Sequence, residues 1–313
     1  MRVLLVRLDG IGDAAACAPL IAALREAGHG VGIVSTTRNA GLFRPSALLA
    51  EHVLERIPWP AHGSTPASTA RASAEIAAQR YDVALIASEE PEAFALAAPI
   101  PERVGFVTGW SRPLKTLWVR AHTTHTIGRR QQPGAAGEHE VEVLYRLGRG
   151  LVPRDEPPSD ARELRPLFVD GAPHARGGVV VQAGPKWNAS GVGDAALRAL
   201  VERLTPRGVR VLAAPPDAAA AGAALGVEVA AFDGLAGWVG AIDAAAALIS
   251  VDTGAAHVAG MLGVPVVDVF PDAHFDAQVR RWRPWASRSL ALRASDPIGG
   301  AAADRIEAFL DGR

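Results

Sequence analysis

Short apolar runs alternate along the chain with longer segments that are rich in alanine and leucine. The runs have the length of buried strands, and the segments have the amphipathic spacing of helices that pack on a sheet. This alternation predicts βα units around a parallel sheet. The predicted strands are 2–7, 30–35, 82–87, 101–106, 178–182, 208–213, 247–251 and 265–269. The predicted helices begin near Asp13 and Pro66 or span 193–205, 217–225, 254–262 and, at the end, 301–311.

A segment rich in proline, glycine and charge, 151–178, interrupts this alternation. Such a composition is typical of a linker between domains. We therefore predict two doubly wound, Rossmann-like domains, 1–152 and 153–313, joined by this linker. Because ligands bind at the carboxyl ends of the strands in such folds, we expect a cleft between the carboxyl ends of the two sheets.

Composition narrows the class of protein. Apolar residues make up 49% of the 313 residues and charged residues 21%, which is enough to bury a sizeable core. A formal net charge of −1 argues against a general nucleic-acid binder. The single cysteine, Cys17, excludes an internal disulfide framework, and Arg7 and Asp9 interrupt the N-terminal apolar run too early for a signal peptide. We expect a soluble, cytoplasmic protein with no nucleic-acid partner.

The turn after the first predicted strand has two interpretations. Gly10, Gly12 and Ala15 have the G-x-G-x-x-A spacing of a dinucleotide-binding turn. Asp13 would repel a pyrophosphate there, however, and the second strand ends in VSTTRN, without the acidic residue that binds a ribose. Asp13 either caps the following helix or presents a carboxylate that acts as a general base. An NADP-dependent oxidoreductase, with Arg38 on a 2′-phosphate, remains an alternative.

Two segments of the second half combine a strand end with groups that bind phosphate. In ISVDTGAAH, Asp252, Thr253 and Gly254 lie between a strand and a helix, where free backbone N–H groups can bind a diphosphate. His257 is four residues after Thr253 and shares a helix face with it. In VVVQAGPKWN, Lys186 follows another strand and is a candidate phosphate ligand. The structural alternatives are helix capping, a packed histidine and a solvated lysine.

These segments together resemble glycosyltransferase family 9, the ADP-heptose:lipopolysaccharide heptosyltransferases, over nearly the whole chain. VRLDGIGDAAACAP resembles the family's R-x-x-x-x-G-D turn and the proline-bearing helix after it. YDVALIA, RVGF and HEVEVLYRLG resemble motifs in its middle, and QAGPKWN is similar to its G-x-x-K-x-W segment. DTGAAHVAGMLGVP matches its D-T-G-x-x-H-x-A-x-x-L-G-x-P signature at every specified position, which makes this match the most specific.

The resemblance implies a GT-B fold with an N-terminal acceptor-binding domain and a C-terminal nucleotide-sugar-binding domain. It implies an inverting transfer of a sugar from a nucleotide diphosphate donor, with Asp13 as the catalytic base. The donor-binding residues that it implies are Lys186, Thr253 and Gly254 on the diphosphate, with Asp252 and His257 in support. The nucleotide sugar is then a co-substrate, and neither a protein-bound metal nor a further cofactor is implied.

Two positions depart from the family pattern. Asp9 and Gly10 replace a pair that is often small and polar in the family, so contacts with the acceptor at Asp9, Gly10 and Gly12 would differ. Lys186 is followed directly by Trp187, which leaves the exact register of the lysine open.

The candidate acceptor surface is basic and aromatic. From Arg103 to Gly137 the sequence contains no aspartate or glutamate. It contains Trp110, Trp118 and the basic residues Arg103, Arg112, Lys115, Arg120, Arg129 and Arg130. Such a surface suits an anionic glycan, glycolipid or small-molecule acceptor and a peripheral contact with the inner face of a membrane, although a solvated loop is the alternative. The candidate acceptor ligands are Arg112, Lys115 and Arg120.

The sequence therefore predicts a glycosyltransferase, and the resemblance implies heptose as the sugar and ADP-heptose as the donor. A nucleotide-sugar epimerase on the same architecture is an alternative. It would need acid and base groups on both faces of the sugar, whereas one carboxylate, Asp13, is apparent.

Overall fold

The computed structural model describes residues 1–57, 61–129, 137–171 and 175–312. The chain divides into two compact units, Met1–Pro158 and Ser159–Arg313. Arg130 and part of the predicted linker, 172–174, lie outside the described residues. None of the helices in the described part of the chain is long and apolar enough to cross a membrane.

Unit 1 (Met1–Pro158) is built on a six-stranded sheet in which every pairing is parallel. Its strands are β1 Arg2–Val6, β2 Gly30–Thr36, β3 Ala50–Leu54, β4 Val83–Ile86, β5 Glu102–Val107 and β6 His125–Gly128. Its helices are α1 Ile11–Ala15, α2 Ala18–Glu26, α3 Pro66–Gln79, α4 Pro91–Ala97, α5 Pro113–His122 and α6 Glu140–Tyr145. The strand order is β3-β2-β1-β4-β5-β6, which reverses direction between β1 and β4.

Unit 2 (Ser159–Arg313) repeats this plan with a second parallel sheet of order β12-β11-β10-β7-β8-β9. Its strands are β7 Val179–Gln182, β8 Val209–Leu212, β9 Val229–Ala230, β10 Ala247–Val251, β11 Val266–Phe270 and β12 Ser289–Arg293. Its helices are α7 Ala161–Leu164, α8 Lys186–Ala189, α9 Asp194–Leu204, α10 Pro215–Leu225, α11 Leu235–Asp243, α12 Gly254–Leu262, α13 Phe275–Trp282 and α14 Ala301–Leu310. The order reverses between β7 and β10.

The central strands explain why the apolar runs are continuous. All five residues of β10 and all five of β11 are buried, as are four of the five residues of β1. Strands of a parallel sheet that helices cover on both faces have no polar face, so they appear in the sequence as unbroken apolar runs. Ligands bind in such sheets where the strand order reverses, at the carboxyl ends of the strands.

The edge strands are where the sequence pattern misses elements. β3, β6, β9 and β12 were not among the predicted strands, and their sequences (AEHVL, HTIG, VA and SLALR) contain polar or partly exposed residues or are very short. A strand near the edge of a sheet is less covered, so its residues carry no continuous apolar signal. The predicted linker also contains a short helix, α7.

Candidate functional site

In unit 2, the donor residues implied by the sequence lie at the point where the strand order reverses. β7 and β10 are neighbours in the sheet, although about two fifths of the unit separates them along the chain. Lys186 follows β7, and Asp252 follows β10. The two segments therefore meet at the carboxyl edge of the sheet, where α/β folds bind their ligands.

Asp252 is the centre of this group. Its carboxylate lies 3.5 Å from Nε2 of His257 and 4.0 Å from Nζ of Lys186. Lys186 also donates a hydrogen bond to the backbone carbonyl of Asp252. Burial raises the pKa of the Asp252 carboxyl, but the hydrogen bond from His257 and the charges of both partners outweigh burial and lower it. Asp252 is thus a carboxylate that holds the lysine and the histidine in place.

The N-terminus of α12 offers free donors beside this carboxylate. Thr253 is the N-cap residue, but its side chain does not cap the helix; its hydroxyl lies 2.8 Å from that of Ser250. Among the hydrogen bonds of the described residues, none comes from the backbone N–H groups of Gly254 or Ala255. Helix capping by the threonine side chain is therefore not the role of this motif, and a diphosphate would find unpaired N–H groups here.

The remaining residues of the family segment are packed into the unit. His257 is buried and its ring centroid lies 5.4 Å from that of Trp282. Trp187 is also buried, whereas the Lys186 side chain is 53% exposed. The strand end thus directs the tryptophan into the core and the lysine toward Asp252.

Asp268 adds a second carboxyl group, which the sequence analysis did not identify. It stands on β11 opposite Ser250 of β10, is fully buried, and neither carboxyl oxygen has a hydrogen-bond partner among the described residues. Burial, with the charge of Asp252, raises the pKa of Asp268 well above its ordinary value. The pKa values of these two neighbouring carboxyl groups are therefore shifted in opposite directions.

In unit 1, Asp13 lies at the other reversal of strand order, after β1. It is the third residue of α1, and the Gly10 N–H donates to its Oδ2 over 3.3 Å, so it does contribute to capping. Its Oδ1 accepts a hydrogen bond from the guanidinium of Arg7 at 2.5 Å. Arg7 is buried and Asp13 is 31% exposed. The turn therefore holds a carboxylate on a rigid cation and leaves it accessible, as a general base requires.

Asp9 shares the same guanidinium. Its Oδ2 lies 3.2 Å from Nε of Arg7. Burial raises the pKa of the Asp9 carboxyl, and the charge of Arg7 opposes this without cancelling it. Gly10 adopts an extended conformation, with φ −77° and ψ 178°, so the turn does not depend on a left-handed glycine at this position. The carboxyl groups of Asp9 and Asp13 lie at this turn, and their negative charge disfavours the binding of a dinucleotide phosphate there.

A chain of ion pairs joins this turn to helix α5. Glu140 is buried 3.9 Å from Arg7 and pairs with Arg129 at 2.8 Å. Arg129 lies 3.6 Å from Glu89, which also pairs with Lys115 and lies 3.9 Å from Arg112. Burial raises the pKa of Glu89, but these cations, Lys115 first, lower it overall. Of the predicted acceptor ligands, Arg112 and Lys115 belong to this network, and Arg120 does not.

Arg7, Glu89, Arg129, Glu140 and Asp268 are site residues that sequence reasoning missed as such. The sequence signal for Arg7 and Asp268 was a single charged residue inside an apolar run. Charged residues are rarely fully buried unless they are paired, so such a residue is a candidate for a site. Among the described residues, no group of three histidine, cysteine, aspartate or glutamate side chains is arranged to hold a metal ion.

Comparisons with known proteins agree with the fold and with the resemblance. Residues 194–299 match the family model "Glycosyltransferase family 9 (heptosyltransferase)". No curated protein sequence matches the chain. Among solved structures, the chain is similar to E. coli heptosyltransferase WaaC with ADP, with a TM-score of 0.72, 20% identity, and 100% of this chain and 99% of that chain covered.

Two further structures have the same architecture. E. coli ADP-heptose lps heptosyltransferase II gives a TM-score of 0.72 at 16% identity and covers 100% of this chain and 99% of that one. The glycosyl transferase family 9 protein from Veillonella parvula gives 0.68 at 15% identity and covers 98% and 88%. The predicted α/β, GT-B fold is confirmed by these likenesses. The family-model match over residues 194–299 agrees with the predicted resemblance.

Proposed function

We propose, from the premise that residues 194–299 form a glycosyltransferase family 9 domain, that the chain is an inverting glycosyltransferase. It transfers a sugar, heptose, from ADP-heptose to a hydroxyl group of an anionic glycan, glycolipid or small-molecule acceptor. The observation that carries this proposal is the meeting of Lys186, Asp252 and the α12 N-terminus at the strand reversal of unit 2. A lysine beside unpaired N–H groups is a suitable diphosphate site.

The donor diphosphate binds to unit 2. Its oxygens accept hydrogen bonds from the N–H groups of Gly254 and Ala255 and pair with the Lys186 ammonium. Asp252 is ionised and contacts both Lys186 and His257, so it keeps the lysine beside the turn when no donor is bound. As the bond from the sugar to the diphosphate breaks, negative charge develops on the leaving group, and these fixed donors stabilise it where it develops.

The acceptor is activated in unit 1. The acceptor hydroxyl gives its proton to the Asp13 carboxylate while its oxygen attacks the anomeric carbon of the donor. The carbon–oxygen bond to the diphosphate breaks through an oxocarbenium-like transition state, and ADP leaves from the opposite face. Arg7 fixes the Asp13 carboxylate through its buried guanidinium, and Asp9, which contacts the same guanidinium, is the proposed ligand of the acceptor.

The identity of the donor follows from the resemblance. The matched family model carries heptosyltransferase in its description, and one structural relative is described with ADP-2-deoxy-2-fluoro heptose bound. We place the reaction in the cytoplasm, where the single, fully buried Cys17 needs no disulfide partner. The nucleotide sugar is the co-substrate, and Lys186 with the helix N-terminus takes the place of a metal ion.

A pair of lysine variants tests the donor site, because the chain contains two lysines, Lys186 and Lys115. Lys186→Met removes a charge-assisted contact with the diphosphate, and we expect ADP affinity, measured by calorimetry, to fall roughly 10- to 100-fold. Lys115→Met makes the same chemical change in unit 1 and should leave ADP affinity unchanged. Equal affinity in wild type and both variants would remove Lys186 from the donor site.

A thermal-shift panel of ADP-, GDP-, UDP- and dTDP-sugars tests the donor itself. A ligand that binds the native state raises the melting temperature by mass action, so ADP-heptose should give the largest shift. A shift with another nucleotide sugar and none with an ADP-sugar would overturn heptose transfer from ADP while leaving a glycosyltransferase. Isomerisation of the nucleotide sugar without acceptor would instead favour the epimerase.

A further inference from the structure

Helix α5 exposes its apolar side to solvent. Leu114 is 81% exposed and Leu117 is 62% exposed, and Ala121 is exposed on the same stripe. Thr116 and Val119 point the other way and are buried. A helix on the surface of a globular protein normally turns its polar residues outward, because apolar surface in water is unfavourable. The outward face of α5 is therefore suited to an apolar partner.

The turn before α5 extends this face. Trp110 lies in the turn and is 94% exposed. Trp110 and Leu117 border a shallow depression, whose lining consists of Gly109, Trp110, Pro113, Thr116, Leu117 and Arg120. Five large hydrophobic side chains are exposed among the described residues, and three of them are Trp110, Leu114 and Leu117. Such clustering marks an interaction surface, whereas single exposed apolar residues need no explanation.

Positive charge borders the apolar face. Arg112 begins the helix segment and Arg120 lies one turn after Leu117. Arg120 makes no ion pair with any described residue, and no acidic residue occurs between Arg103 and Gly137. Lys115 pairs with Glu89, the acid that also lies 3.9 Å from Arg112. The border is therefore cationic, with one of its charges neutralised.

We propose that Trp110, Leu114 and Leu117, bordered by Arg112 and Arg120, dock unit 1 on an anionic lipid bilayer. Burial of the leucines in the headgroup region removes apolar surface from water and so favours binding. Tryptophan is enriched at membrane–water interfaces, and arginines attract the lipid phosphates. A free anion would use the arginines alone and would leave the apolar stripe in water. The combination therefore commits the surface to lipid.

The inference deepens the proposed function and rests on it for the choice of acceptor. Arg112 and Lys115 of the docking segment reach Asp13 through the ion pairs of Glu89, Arg129, Glu140 and Arg7. The docking surface and the proposed base thus belong to one connected region of unit 1. An acceptor held in a membrane by its own acyl chains would be delivered to the protein by this surface.

Vesicle flotation tests the docking surface. Wild-type protein should float with vesicles of equimolar phosphatidylglycerol and phosphatidylcholine and should float poorly with phosphatidylcholine alone. Combining Leu114→Ser with Leu117→Ser should weaken binding to the anionic vesicles about tenfold or more. Leu49→Ser is the matched control, because Leu49 is 40% exposed in the same unit but lies outside the surface.

A charge pair tests the border separately. Arg120→Glu and Arg25→Glu make the same change in net charge at exposed positions of unit 1. The first should weaken binding to anionic vesicles about tenfold, since each basic residue near the surface contributes, and the second should not. Circular dichroism and melting temperature would show that all four variants fold.

Three results would overturn the docking surface. The first is that wild-type protein does not bind anionic vesicles. The second is that the double variant Leu114→Ser with Leu117→Ser binds them as tightly as wild type. The third is that wild type forms a dimer and binds no vesicles, and that the double variant is a monomer. None of them involves the donor. ADP-sugar binding measured without lipid would still report on the proposed function, so the two failures are distinguishable.

Discussion

At the scale of single residues, environment separates carboxyl groups that the sequence does not distinguish. Asp252 directly follows β10 and Asp268 lies in the middle of the adjacent strand β11, yet their pKa values shift in opposite directions. Cationic partners lower the pKa of Asp252, whereas burial without a hydrogen-bond partner raises the pKa of Asp268. Asp13 and Asp9 share one buried arginine in unit 1. Such pairs with divergent environments are typical of functional sites.

Asp13→Asn tests the proposed base. Asparagine keeps one carbonyl oxygen, which can accept from Arg7, but it loses the oxygen that accepts from Gly10 and cannot take a proton from the acceptor. We expect kcat to fall about 100-fold or more, with ADP affinity unchanged. Asp155→Asn is the control, since Asp155 is an exposed aspartate of unit 1 outside the proposed site and its change should leave kcat unaltered. A large loss of melting temperature with normal turnover per folded molecule would make Asp13 a capping residue only.

Asp268→Asn tests the buried acid through stability. Because its pKa is raised in the native state, the unfolded carboxyl releases its proton first as pH rises above about 4. The free energy of unfolding therefore falls with rising pH through the native pKa, by up to about 1.4 kcal/mol per pH unit. Asparagine does not titrate, so Asp268→Asn does not lose free energy of unfolding in this way as pH rises. The melting temperature of the variant minus that of wild type should therefore increase with pH.

The control for this pH dependence is Asp233→Asn, an exposed aspartate of the same unit. It should follow the wild-type curve of melting temperature against pH. Parallel curves for Asp268→Asn and wild type would mean that the carboxyl of Asp268 is ionised in both the native and the unfolded state.

At the scale of secondary-structure elements, α12 connects the donor site to the core. Eight of its nine residues are buried, and its first turn carries the N–H groups proposed to bind the diphosphate. Gly260 permits close packing, because a Cβ there would lie 2.9 Å from the Pro284 side chain and 3.0 Å from the Trp285 nitrogen. The position of this helix is therefore fixed by a contact that needs the absence of a side chain.

Gly260→Ala tests this contact against Gly240→Ala in the neighbouring helix α11. The first should destabilise the protein by about 1–3 kcal/mol through overpacking. The second meets nothing within 4 Å and should stabilise it by about 0.5–1 kcal/mol through helix propensity. Chemical denaturation measures both, and a stabilising Gly260→Ala would show that α12 can move away from the 284–285 segment at no cost.

At the scale of the whole molecule, two units with the same strand order carry different chemistry at the same place in the fold. The reversal in unit 1 holds carboxylates around an arginine, and the reversal in unit 2 holds a lysine, a histidine and free N–H groups. The first suits deprotonation of a hydroxyl group, and the second suits a diphosphate. Neither unit contains both sets among its described residues, so the proposed reaction needs the whole chain.

Removal of metal ions tests how the whole enzyme offsets the charge of its leaving group. Because Lys186 and the N-terminus of α12 supply positive potential, turnover should be retained after dialysis against EDTA. The assay is ADP release with acceptor present, with and without added Mg²⁺. Activity that disappears with EDTA and returns with Mg²⁺ would contradict this account.

Local patterns determined the central elements and the most specific motif. Fully buried strands such as β1, β10 and β11 appear as apolar runs, and the D-T-G-x-x-H turn reads as a helix N-terminus, because both signals reside in consecutive residues. The edge strands were missed, since partial exposure removes the apolar run. The predicted alternation thus identified the fold class, while the order of strands within each sheet is absent from it.

Only the tertiary structure decided which charged groups meet. Lys186 contacts Asp252 across 66 positions of sequence because parallel pairing brings the ends of β7 and β10 together. Arg7, after β1, lies beside Glu140, the first residue of α6, through packing that local periodicity cannot predict. The exposure of Leu117 could not be predicted from the sequence either, since residue type does not state which face a helix turns inward. The sequence by itself determined the chemistry that is present, and packing determined which groups act together.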